Sequence, residues 1–246
     1  MNIRNLLFLL LLLSHDAMAV PTPATMSEWF TQPKPLPGWT LETRDSSFVL
    51  QPHKQGNQHG EVHFNQERQH CIISVPHRFY DKHTLTIGTA LFQQACQLLV
   101  ANTQHRHSAE PGAASMDYSK QLVNIHNATI QGYISLYPNT KVFQIHGFSR
   151  NKRSTTAGKN SDIILSQGHS NDDQLWQLQA CFAAIGYRTK VYPQQVTELG
   201  GTRNVLHGLG IRPHHFIHIE LSYQVRKQLV SNQQQLQQFS ECVQLY

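Results

Sequence analysis

The chain has 246 residues, 39% of them apolar and only 14% charged, with 20 Lys and Arg against 15 Asp and Glu and a further 16 His. That apolar content suffices for one sizeable core and excludes a wholly disordered chain, while the thin basic excess argues against nucleic acid as a partner. The one long apolar run, Leu6–Leu13, is too short to span a bilayer, which takes about 20 residues, so a polytopic membrane protein is excluded.

In chain order, Met1–Ala19 reads as a secretory signal peptide. Arg4 supplies the positive start, Leu6–Leu13 the apolar stretch and Ala17-Met18-Ala19 the small-x-small cleavage site. Its removal near Ala19 would leave a secreted or periplasmic protein without stable membrane insertion. A loose Pro- and Thr-rich arm is expected at 20–37, then a single domain over 38–246. Export permits disulfides. Cys71, Cys96, Cys181 and Cys242 admit three pairings that spacing does not separate. Cys96 and Cys181 fall on apolar faces of expected helices, which suit buried free thiols.

Phe48–Leu50 and Val62–Phe64 read as short strands of a hairpin turning through Gly56–Gly60. Cys71–Val75 is an apolar, β-branched strand ending at Pro76-His77. Thr84–Ala101 reads as a helix, with Leu91, Ala95, Leu98 and Leu99 at near-helical spacing, and Ala128–Leu136 as a second. Val142–Ile145 is a strand ending at His146-Gly147, and Asp162–Leu165 one ending at Ser166-Gln167-Gly168. Asn171 is the expected cap of a helix that carries Asp172 and Asp173 in its first turn and closes at Gly186. Thr189–Tyr192 and Phe216–Leu221 are further strands, and Tyr223–Val243 a final Gln-rich helix. Strands alternating with helices predict an α/β fold, a three-layer α/β/α sandwich around a mostly parallel mixed sheet.

In such sheets ligands gather beyond the carboxyl ends of the strands. His77 and His146 each end a buried strand, and Phe216, His218 and Glu220 share one face of the last by alternation. Two His and a carboxylate at strand ends suit a catalytic zinc ion with its fourth position open to water. Glu220 fits a general base beside that water, since a carboxylate buried without a partner on an apolar strand is otherwise costly. For the third ligand, Asp81 comes first, because a turn through His77-Arg78-Phe79-Tyr80-Asp81 can return both side chains to one point; Asp117 and Glu110 are the alternatives. Arg150 and Arg153, in the basic stretch after His146, are candidates to clamp a substrate carboxylate, with Arg106 and Arg203 behind them. Arg226, a little beyond Glu220, is a further candidate for the catalytic set through pairing with a carboxylate.

Val75-Pro76-His77, Phe143-Gln144-Ile145-His146-Gly147-Phe148 and Ile217-His218-Ile219-Glu220-Leu221-Ser222 with Arg226 together resemble the N-formylglutamate amidohydrolase and poly-γ-glutamate hydrolase-like group. That group is related to zinc carboxypeptidases and to succinylglutamate desuccinylase and aspartoacylase enzymes. The resemblance spans roughly Cys71–Leu229, through short motifs in a shared order. It implies a zinc-carboxypeptidase-like α/β/α fold, one zinc ion held by two His and an acidic residue, and hydrolysis of amide bonds often next to a carboxylate. By position, His77 and His146 match the metal His and Glu220 the general base. The chain departs from the His-x-x-Glu pair of the carboxypeptidase branch, where Tyr80 stands in place of that Glu.

The expectation is therefore an exported zinc hydrolase cleaving an amide or peptide bond in a small acidic substrate. The alternative is a His-rich protein that binds metal or wall fragments without turnover. A serine hydrolase has less support: no Gly-x-Ser-x-Gly elbow is present, and Ser166-Gln167-Gly168-His169 is a poor substitute.

Overall fold

The structure is a computed structural model that describes residues 20–54, 58–108 and 115–246. The expected signal peptide, Gly56 and Glu110 lie outside the described residues. Among the described residues the strands are β1 Trp39–Arg44, β2 Ser47–Pro52, β3 Glu61–Asn65, β4 Gln69–Val75, β5 Cys96–Ala101, β6 Lys141–Phe148, β7 Ile163–Ser166, β8 Thr189–Val191 and β9 Phe216–Ser222. They form one sheet in the order β1-β2-β3-β5-β4-β6-β9-β7-β8. The centre, β5-β4-β6-β9, is parallel. β1, β2 and β3 add an antiparallel meander on one side, and β7 runs against β9 on the other.

The helices are α1 Pro23–Thr31, α2 Thr84–Gln94, α3 Ile125–Leu136, α4 Thr156–Lys159, α5 Asp173–Ala184, α6 Tyr223–Ser231 and α7 Gln233–Leu245. Alternation along the strands divides the core in two. Ile73 and Val75 of β4 and Ile217, Ile219 and Leu221 of β9 pack with residues of α2, α5, α6 and α7. Ile72, Val142 and Phe216 point the other way, into a cluster with Met26 and Trp29 of α1 and Ile130 and Tyr133 of α3. The expected three layers around a mixed sheet are present. None of the described helices is long and apolar enough to cross a membrane.

Several local expectations are corrected. The loose arm at 20–37 contains α1, which Thr22 caps through its side chain and Pro23 opens. Met26, Trp29 and Phe30 of this helix are buried. The helix expected over Thr84–Ala101 stops at Gln94, and β5 follows with all six residues buried between β3 and β4. A strand buried on both faces has no alternation to separate it from a buried helix. The final helix divides at Asn232, whose extended backbone and side chain cap α7. Asp172, not Asn171, caps α5, while Asn171 accepts from the Gln167 amide and donates to the Tyr192 carbonyl. Cys96 and Cys181 are not free thiols, because Cys71–Cys96 and Cys181–Cys242 are disulfides.

Candidate metal centre and its cleft

The register of the central strands lines up a row of polar side chains in an otherwise apolar sheet. Ser74 of β4 lies beside Gln144 of β6, which lies beside His218 of β9, and one step further His146 lies beside Glu220. All five are buried. Being two apart on their strands, Gln144 and His146 share a face, as do His218 and Glu220. The row sits toward the carboxyl ends of the parallel strands, where the sequence places a ligand.

His77 follows just beyond β4. There the chain makes one helical turn, with the Asp81 amide donating to the His77 carbonyl at 2.7 Å and Thr84 Oγ1 donating to the Asp81 carbonyl at 2.7 Å. This turn brings the Asp81 carboxylate back over His77. His77 Nδ1 lies 3.1 Å from His146 Nδ1, and Asp81 Oδ2 is 3.6 Å from the first and 3.4 Å from the second. Ligands held tetrahedrally at about 2.0–2.2 Å from one ion stand about 3.3–3.6 Å apart. The three atoms thus have the spacing of one face of a coordination tetrahedron.

The far sides of both rings support the same arrangement. His77 Nε2 meets Asp117 Oδ1 at 2.7 Å, and His146 Nε2 meets Gln144 Oε1 at 2.8 Å. Each acceptor calls for a proton on Nε2, which leaves the Nδ1 lone pairs directed at the shared point. Asp117 therefore takes a supporting place behind His77, held by Ser119 and ion-paired with Arg106. One carboxylate and two imidazole nitrogens form a donor set that fits a borderline divalent cation such as zinc.

Glu220 stands next to His146 and lines the cavities on both sides of it. Its Oε2 is buried without a hydrogen-bond partner. Burial, then the charge of Asp81, pushes its carboxyl well above the usual range, against the pull of Arg153, Arg226 and Arg106. His218 stacks obliquely on His146, with ring centroids 4.7 Å apart, and also has an unpartnered ring nitrogen. The first cavity, of about 390 Å³, is walled by His77, His146, His218 and Glu220 against the loop Gly200–Asn204. In that loop Gly201 adopts a left-handed φ of 61°, and a Cβ there would stand 2.8 Å from the His218 ring. The second cavity, of about 500 Å³, runs from Asp81 and Glu220 toward Tyr80, Tyr223 and Phe148.

The basic candidates separate. Arg226 is buried and reaches the carbonyls of Lys82 at 2.6 Å, Leu221 at 3.2 Å and Phe148 at 3.5 Å. It thereby ties the turn before α2 to the ends of β6 and β9, and its guanidinium lines the second cavity. Gly147 makes room for it, since a Cβ there would lie 2.3 Å from the guanidinium carbon. Arg153 lines the same cavity and pairs with Glu198 at 3.3 Å. Arg106 lines both cavities and Arg203 the first. Arg150 lines neither; it is spent on Asp162, the Ser161 carbonyl and Gln224, so its expected contact with substrate is corrected.

Sequence reasoning passed over Gln144, Asn204 and Ser119, and gave His218 no role. Alternation could have flagged Gln144, which shares the face of His146. Asn204 and Ser119 come from loops whose path no local pattern announces.

No family model matches the chain, and no curated protein matches it in sequence. Among solved structures, a bacteriophage poly-γ-glutamate hydrolase superposes at 9% identity with a TM-score of 0.47, covering 78% of this chain and 89% of that one. N-formylglutamate amidohydrolase from Ralstonia eutropha JMP134 does so at 11% identity and 0.48, over 76% and 96%. A metallo-carboxypeptidase from Burkholderia cenocepacia follows at 10% identity and 0.32, over 80% and 59%. These are the groups that the motifs around His77, His146 and Glu220 resemble. At such scores the likeness assigns no activity and no residue role, which rest on the side chains themselves.

Proposed function

We propose that this chain is an exported, metal-dependent hydrolase of an amide or peptide bond in a small substrate bearing a carboxylate, with one zinc ion per chain. The observation that carries the reading is the triangle of His77 Nδ1, His146 Nδ1 and Asp81 Oδ2, with both outer ring nitrogens already committed to acceptors. An ion bound there supplies Lewis-acid polarisation of a carbonyl and lowers the pKa of water.

The chain's own groups do the rest. Glu220, buried beside His146, accepts a proton from water and returns it to the leaving nitrogen, a role suited to a carboxyl whose proton affinity is raised. Arg106, Arg153 and Arg226 give the two cavities a positive lining that orients a carboxylate next to the scissile bond. The loop Gly200–Asn204 forms one wall of the first cavity, with Gly201 against His218. Two disulfides, using all four cysteines, support export, as does the signal-peptide pattern at Met1–Ala19.

The test is metal analysis of the purified protein together with amine release from a panel of N-acyl amino acids and glutamyl peptides. One zinc per chain is expected, lost in His77→Ala. Glu220→Gln should keep the ion and lose about 10²–10⁴-fold in turnover. Protein free of metal after zinc addition, or a fully active Glu220→Gln variant, would overturn the reading. A metal-binding protein without turnover would load the ion and release no amine from any substrate.

A further inference from the structure

Resting on that reading, we infer that Asn204 and Gln144 are positioning residues that set the tautomer of His146 and so keep its Nδ1 free to ligate the metal. A backbone amide, that of Leu206, is a donor without ambiguity. The Leu206 N–H donates to the Asn204 side chain at 3.1 Å where Asn204 caps the 3-10 turn Val205–Gly208. The capping atom must be the amide oxygen, so the Asn204 NH₂ faces the other way, onto Gln144. A donor there requires the Gln144 oxygen on that side, and the Gln144 NH₂ then donates to Ser74 Oγ at 3.0 Å.

The chain of donors ends on His126. Ser74, having accepted from Gln144, has its own proton to give, and His126 Nε2 receives it at 2.8 Å. His126 is able to accept because burial keeps its imidazole neutral, its pKa pushed down to about 3. The same Gln144 oxygen lies 2.8 Å from His146 Nε2. An oxygen with no hydrogen of its own fixes the proton on that nitrogen and leaves Nδ1 with a bare lone pair, pointed at His77 Nδ1 and Asp81 Oδ2. Every member of this network is buried, and both amide atoms of Gln144 already have protein partners that hold the amide in one orientation.

The two imidazoles are thus oriented by different means. His77 is fixed directly by a carboxylate, Asp117. His146 is fixed by a neutral amide whose own orientation is inherited from the loop after Gly201. Reversing one amide would reverse the tautomer and place a proton where the metal must bind.

Asn204→Asp tests this with little disturbance, because aspartate still caps Leu206 but offers Gln144 an oxygen in place of an NH₂. Gln144 should turn its own NH₂ toward His146. Zinc affinity, measured against a competing chelator, is expected to fall tenfold or more. The thermal midpoint of the metal-free protein should stay near wild type. Gln144→Glu, which presents only acceptors, should retain affinity within a few-fold. Independently of any variant, nitrogen NMR of the metal-free wild-type protein near neutral pH should show His146 protonated on Nε2, and on Nδ1 in Asn204→Asp. A wild-type His146 protonated on Nδ1, or a folded Asn204→Asp protein that binds zinc as tightly as wild type, would overturn the inference. Wild-type protein that takes up no zinc would sink the functional reading instead, and the tautomer measurement would still decide the role of Asn204 and Gln144.

Discussion

The polar atoms of the buried row beside the cleft fall into two sets. Those of Ser74, Gln144, Asn204 and the outer edges of His77 and His146 have partners. Glu220 Oε2 and His218 Nδ1 have none, and both residues border the cleft. An unsatisfied buried polar atom costs about 1–3 kcal/mol, and at these two a substrate or water in the cleft can relieve it. His126 is a different case, a neutral imidazole beneath the row with its Nδ1 unpartnered. Burial lowers its pKa to about 3, with further contributions from His77 and His146, against 6.5 for the free side chain. The unfolded chain therefore takes up a proton that the native state refuses. The stability His126 contributes is complete above pH 6.5 and declines as the pH falls from there toward 3. The slope is at most about 1.4 kcal/mol per pH unit for one proton. Urea denaturation between pH 6 and 4 should show His126→Gln less pH-sensitive than wild type by about that slope, and parallel curves would show that His126 is protonated in the folded protein.

At the scale of the element, what could be read from the sequence depended on whether a strand has one polar face. β9 announces itself and its site residues together, because Phe216, His218 and Glu220 alternate with Ile217, Ile219 and Leu221. The ends of β4 and β6 were legible for the same reason, each apolar run terminating at a histidine. β5 was not, since Cys96–Ala101 is buried on both faces and its leucines fit a helical stripe equally well. α1 was hidden by its own start signal, Thr22 and Pro23, which in a Pro-rich stretch reads as loop. Its place in the core is testable at Gly132 of α3, where a Cβ would lie 2.6 Å from the Pro23 carbonyl and 2.8 Å from the Ser27 amide. Backbone atoms of a neighbouring helix do not yield as a side-chain tip does. Gly132→Ala should therefore lose about 1–3 kcal/mol despite the better helix propensity of alanine. Gly208→Ala, with nothing within 4 Å of the added carbon, should lie close to wild type in the same denaturation experiment. If the two variants were equally stable, α1 would not pack on α3 as described.

Across the whole molecule, covalent and coordinative constraints fall on different parts. Both disulfides belong to the cluster under α2, α5, α6 and α7, while α1 and α3 on the other face are held by packing and by hydrogen bonds such as those of Tyr133 to Gln97 and His70. Cys71–Cys96 closes a loop of 25 residues and Cys181–Cys242 one of 61. In the loop-entropy account these are worth up to about 3.5 and about 4.3 kcal/mol. Replacing the second pair by serine should thus lower stability somewhat more. The site should respond in the opposite order. The shorter loop contains both His77 and Asp81 and links β4 to β5, so it limits how far two of the three ligands can drift from His146, which β6 holds separately. The Cys71→Ser, Cys96→Ser protein is expected to bind zinc several-fold more weakly, and the Cys181→Ser, Cys242→Ser protein as tightly as wild type. Denaturation and chelator competition on the same two preparations separate these effects. Equal losses of zinc affinity in both would mean that global loosening, not the span carrying His77 and Asp81, governs the metal site.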